Sequence, residues 1–159
     1  MTNFDKVAQF NELIGNPKGD PLNPDWDALE RQANLVLEEV QETVDAIASR
    51  DLKELRDGIA DTLVTAYGLA HRAGVDANRD FDAVHTSNMS KFCKDRDEAI
   101  QTAAHYEKLG VQISYRNVEG SLIAVVSASD QTATDGTFYP AGKLLKSVQY
   151  HLPGFDDVI

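Results

Sequence analysis

The sequence predicts an all-α fold, a helical bundle with a four-helix core, extended by a small C-terminal β-hairpin. Three observations predict it. Apolar residues recur at helical spacing through most of the first two thirds of the chain. Gly and Pro fall between those runs rather than inside them. β-branched residues cluster only beyond Gly110, in two short runs.

The first helix is expected over residues 3–14, where Phe4, Val7, Phe10, Leu13 and Ile14 form one stripe. Residues 15–24 hold Gly15, Pro17, Gly19, Pro21 and Pro24 and read as a loop. Asn23 before Pro24 is a helix start, an N-cap ahead of a first-turn proline. The second helix is then expected over residues 24–49, through Trp26, Leu29, Ala33, Val36, Leu37, Val40, Val44 and Ile47. Asp51 caps a third, carrying Leu52, Leu55, Ile59, Leu63, Val64, Tyr67 and Leu69, which Gly74 ends. A fourth is expected over residues 77–92 and a fifth over 95–109, closed by Gly110. Residues 111–115 and 121–127, with Glu119 and Gly120 between them, read as a β-hairpin. Residues 129–136 read as a polar loop, and 139–150 as a short mixed segment.

With 159 residues, 42% hydrophobic and 26% charged, the chain has the size and composition of one globular domain. A single domain over 1–159 is expected, its helical core over about 1–92 and its extension and tail over about 93–159. A net charge of −11 argues against nucleic-acid partners and against a basic membrane-surface role. A polyanionic substrate would need metal ions or a few placed Lys and Arg to approach. Cys93 is the single cysteine, which excludes an intrachain disulfide and suits a reducing compartment. The first ten residues lack the layout of a secretion signal, and no apolar run reaches membrane-span length. A cytoplasmic protein with no membrane partner is expected.

Two acidic patches carry the chemistry. Glu38, Glu39 and Glu42 lie in the second helix, and Glu54, Asp57 and Asp61 in the third. Spacings of three and four place each set on one face. The short turn at Arg50 and Asp51 makes the helices antiparallel neighbours. Counted from that turn, both patches reach a similar height at about 1.5 Å per residue. In so acidic a chain a lone Glu-x-x-Glu also arises on a solvated face. Here the acids flank Leu37, Val40, Ile59 and Leu63 instead of opposing them, and the heights match. Such an oxygen-rich set, free of nitrogen and sulfur, suits Mg²⁺ or Mn²⁺. His71, His85, His105 and His151 show no zinc spacing, and no Walker loop or Gly-x-Ser-x-Gly is present.

These residues resemble a known family. Leu37-Glu38-Glu39-Val40-Gln41-Glu42, then Ala46-Ile47, Asp51 and Asp61-Thr62-Leu63-Val64, are similar to the all-α nucleoside triphosphate pyrophosphohydrolases. That group includes MazG, the dimeric dUTPases and phosphoribosyl-ATP pyrophosphohydrolase. Tyr67-Gly68 and His85-Thr86-Ser87-Asn88-Met89-Ser90-Lys91 resemble its single-domain MazG-like branch. The resemblance covers about residues 4–92, and more weakly Gly142-Lys143-Leu144-Leu145-Lys146 to Pro153. It implies a helical bundle assembled as a homodimer or homotetramer. It also implies Mg²⁺-dependent cleavage of a (deoxy)nucleoside triphosphate to monophosphate and pyrophosphate. Glu39 and Glu42 match the Glu-x-x-Glu metal ligands, Glu38 the extra acid before them, and Asp61 the following aspartate. Gly58 stands where that frame has its second glutamate, which leaves Asp57 as the partner of Asp61. A literal Glu-x-x-Asp occurs one turn earlier, at Glu54 and Asp57. Asn88 and Lys91 match residues that contact nucleotide phosphate or sugar, and Lys143 and Lys146 are further cations in the tail.

The expected mechanism has Glu38 or Glu39 orienting or deprotonating the attacking water. Base choice is expected to come from the bundle pocket and the first helix, around Phe4, Phe10 and Asn11. Two other readings are a phosphoribosyl-ATP pyrophosphohydrolase-like activity and a non-catalytic helical oligomerisation module.

Overall fold

The computed structural model describes residues 1–118 and 120–155. Its contacts group into two compact units, Met1–Phe81 with Phe155, and Asp82–Gly154. The described residues form five helices and two small antiparallel sheets, the all-α class with a hairpin that the sequence predicts.

In the first unit, α1 (Asn3–Leu13) starts at a capping box in which Thr2 and Asp5 bond each other's backbone N–H. α2 (Trp26–Ser49) begins two residues later than expected. Its N-cap is Asp25, whose carboxylate accepts from the Ala28 N–H at 3.0 Å. Asn23 is engaged elsewhere, its amide donating to Asp20. Arg50 ends α2 in the left-handed conformation, and Asp51 accepts from Lys53 and Glu54 N–H to open α3 (Leu52–Ala73). Gly74, with φ of 79°, closes α3.

Close backbone approach governs how α2 meets α3. A Cβ built on Gly58 would stand 2.7 Å from the Thr43 hydroxyl and 3.2 Å from the Thr43 Cα. Only a residue without a side chain lets the helices pack this tightly there. Farther along, the buried Gln32 amide donates to the Thr65 carbonyl and accepts from Arg72 Nε, tying α2 to α3 by polar contacts. α1 lies against α3 with the Phe4 and Tyr67 rings 6.0 Å apart. The buried His71 ring meets the Asn16 carbonyl at 2.9 Å, which anchors the loop before α2.

One expectation does not hold for the single chain. The apolar stripes of α2 and α3 read as core, yet Leu37 is 64% exposed and Val44, Ile47, Ile59 and Leu63 are each about half exposed. The cause is geometric. Each helix is apolar on more of its surface than its neighbours in the unit cover.

In the second unit, α4 (Ala77–Met89), which begins in the first, stops three residues short of expectation. The chain turns through Lys91 and Phe92 so that Cys93 can exchange both backbone hydrogen bonds with Ile123. α5 (Arg96–Lys108) is capped by Asp95. The hairpin pairs β1 (Ile113–Asn117) with β2 (Ile123–Ser127), Tyr115 opposite Val125, and its expected turn residue Glu119 lies outside the described residues. β3 (Gln131–Thr132), which falls within the expected polar loop, pairs with β4 (Phe138–Tyr139) beyond it. β2 is the buried strand. Val125 packs with Cys93, Ala99, Tyr106, Val111, Ala133 and Leu145 in one apolar core. Among the described residues no helix is long and apolar enough to cross a membrane.

The Gly58–Thr43 approach is checked by Gly58→Ala. Helix propensity alone would favour alanine by about 1 kcal/mol. Overpacking against the Thr43 backbone opposes it, and urea denaturation should show a net loss of about 1–2 kcal/mol.

Candidate active site

Every acidic residue singled out in the sequence sits on the α2–α3 hairpin. α2 carries Glu38, Glu39 and Glu42, and α3 carries Glu54, Asp57 and Asp61. Glu39 and Asp61 are half-buried; the others are exposed. Burial, above all, raises the Glu39 carboxyl above its usual range, and Glu42, Asp61, Glu38 and Asp57 raise it further by repulsion. The two helices therefore bring four carboxylates within electrostatic reach of Glu39. Among the described residues no Lys or Arg forms an ion pair with any of these five; the ion pair on the hairpin joins Lys53 to Glu54 at 3.2 Å, in solvent.

A cleft of about 360 Å³ opens on the same hairpin, toward its turn. Glu42, Asp45, Ala46, Ser49, Glu54, Asp57 and Gly58 line it. Glu42 and Asp57 belong both to this cleft and to the group around Glu39. Glu54, the alternative ligand, joins the cleft. Asp45 is a residue that sequence reasoning missed, although its position three after Glu42 was the available signal. It accepts a hydrogen bond from Gln41 at 2.9 Å. Among the described residues no three carboxylate, imidazole or thiol groups close to metal-ligand spacing. Unneutralised like charges spread apart, and such a set fits a hard cation only by drawing inward.

Gly58 gains a physical explanation here. A glutamate at this position would meet the Thr43 backbone. Close helix packing occupies the space that a ligand side chain would need.

Asn88 and Lys91 belong to the second unit. Lys91 Nζ donates to Asn88 Oδ1 at 2.7 Å, so the two form one polar pair at the end of α4. Lys143 lies over the Tyr139 ring at 5.3 Å and Lys146 over the Tyr150 ring at 4.3 Å. In the first helix Phe4 and Asn11 are buried, Asn11 donating to the Val7 carbonyl, whereas Phe10 is exposed.

The crowding at Glu39 predicts a pH dependence of stability. Folded Glu39 holds its proton more tightly than unfolded Glu39, so the folded state gains stability as pH falls through its raised pKa. Without divalent cations, melting temperature should rise as pH is lowered from 7 toward that range. Glu39→Gln should raise it at pH 7 and flatten the profile, which differential scanning calorimetry would show.

Comparison with known proteins gives the hairpin its context. A family model described as phosphoribosyl-ATP pyrophosphohydrolase matches residues 7–88, which include α2, α3 and Asn88. An uncharacterized protein of Acanthamoeba polyphaga mimivirus is 30% identical over 119 residues, 72% of this chain. The chain spans 43% of the length of that curated relative. On the matched residues and the helical hairpin they build, the chain belongs to the phosphoribosyl-ATP pyrophosphohydrolase family, within the MazG-like all-α superfamily.

Proposed function

We propose that this protein hydrolyses (deoxy)nucleoside triphosphates to a monophosphate and pyrophosphate, as a nucleotide-pool enzyme that depends on Mg²⁺ or Mn²⁺. One observation carries the reading: Glu38, Glu42, Asp57 and Asp61 crowd Glu39 from two helices, with no ion-paired Lys or Arg among the described residues to offset them. A bound cation relieves such repulsion. Glu39, Glu42, Asp57 and Asp61 would hold the ion, with Glu54 and Asp45 beside Glu42 and Asp57 in the cleft. When bound, the ion supplies positive charge for the phosphates and acidifies water.

The chain's own groups do the rest. Glu38 or Glu39 would orient the attacking water or accept its proton. The water attacks phosphorus in line as pyrophosphate departs. Asn88 donates to phosphate or sugar, and Lys91 offsets phosphate charge. The exposed stripe of Leu37, Val40, Val44 and Ile47 on α2, with Ile59 and Leu63 on α3, supports assembly as a homodimer or homotetramer.

Hydrolysis of phosphoribosyl-ATP is the second reading, favoured by the description of the family that residues 7–88 match. Pyrophosphate release from a panel of nucleotides and phosphoribosyl-ATP, with Mg²⁺, separates the two. The proposal expects release from at least one nucleoside triphosphate and a fall of about 10²–10⁴-fold in Glu39→Gln. Release from phosphoribosyl-ATP alone would favour the second reading. No release from any substrate would leave a non-catalytic helical module.

A further inference from the structure

The tail of the second unit is bound to the Asn88–Lys91 segment at several points. Ser147 N–H donates to the Lys91 carbonyl at 3.1 Å. Ser87 Oγ donates to the His151 carbonyl at 2.8 Å, and His151 N–H donates to Ser90 Oγ at 3.2 Å. Residues 147–151 thus run along the segment that presents Asn88 and Lys91. The other side of the tail is fixed to α5 through buried polar groups. Ser147 Oγ bonds the Glu98 carboxylate, whose second oxygen accepts from Lys94 N–H at 3.1 Å. Val148 N–H donates to Thr102 Oγ1, and Tyr106 OH donates to the Lys146 carbonyl, each at 3.2 Å. Ser147 is 4% exposed, Ser87 3% and Thr102 0%.

A surface tail held only for stability could be anchored by apolar contacts alone. Here buried polar groups, which fix geometry when fully satisfied, hold Ser147 through its hydroxyl, and the Ser147 N–H in turn bonds the Lys91 carbonyl. We propose that this tail is a latch that positions Lys91 and Asn88 for the nucleotide, with Ser147 and Glu98 as its positioning residues. The proposal rests on the reading that Lys91 contacts phosphate. It adds that the tail, far from α4 in sequence, sets nucleotide affinity.

Steady-state kinetics on the full chain tests it. Ser147→Ala should raise KM for the best nucleotide about three- to tenfold with kcat held within about twofold, the pattern of lost uniform binding. Ser87→Ala, which removes the hydroxyl that bonds the His151 carbonyl, should do the same. Glu98→Ala, which removes the acceptor of the Ser147 hydroxyl, should do the same. Ser147→Ala combined with Lys91→Ala should bind no more weakly than Lys91→Ala alone, because both act through one contact. Circular dichroism and melting temperature identify any variant that does not fold; if Ser147→Ala fails, Ser87→Ala and its combination with Lys91→Ala decide. Unchanged KM in a folded variant, or losses that add in full to that of Lys91→Ala, would overturn the latch alone. A wild-type protein inactive on every nucleotide would overturn the latch together with the reading beneath it.

Discussion

The contact of Gly58 with Thr43 sets where the candidate site stands. Two antiparallel helices bring side chains together only where their axes come close, and here a residue without a Cβ permits that approach. Asp57 and Asp61 flank Gly58 in sequence, and Glu39 and Glu42 flank Thr43 on its N-terminal side. Thr43 reinforces the arrangement by donating its hydroxyl to the Glu39 carbonyl at 2.9 Å. The tight packing that removes one expected ligand position also keeps Glu42, Asp61, Glu38 and Asp57 within electrostatic reach of Glu39.

The two units satisfy their polar groups differently. In Asp82–Gly154, buried polar groups such as Glu98, Thr102, Ser127 and Ser147 have partners within the unit. A continuous apolar core surrounds Val125. In Met1–Phe81 the acidic cluster lacks cationic partners among the described residues, and the apolar stripes of α2 and α3 stay largely open. Both are costs that a partner would relieve, a cation for the first and apolar surface for the second.

Much of this was legible in the sequence because it follows local rules. Asp51 and Gly74 announce the ends of α3 through capping chemistry, and the β-branched run from Ile123 to Ser127 announces β2. The matched heights of Glu39 and Asp61 follow from helix rise and a short turn. What was not legible depends on distant contacts. The end of α4 at Met89 is set by the pairing of Cys93 with Ile123, thirty residues away, and β3 by its pairing with Phe138 and Tyr139. The choice of Asp25 over Asn23 as the α2 cap turns on Asp20 taking the Asn23 amide. Periodicity gave Leu37 and Val44 an apolar face but could not say whether that face is covered within one chain.

The central claim is that carboxylates from α2 and α3 form a single cation site. Titration of the nucleotide-free protein with Mn²⁺, followed by electron paramagnetic resonance, tests it most directly. Wild type should bind saturably, and Glu39→Gln on α2 and Asp61→Asn on α3 should each weaken binding about tenfold or more. Binding that survives either single change undiminished would contradict it.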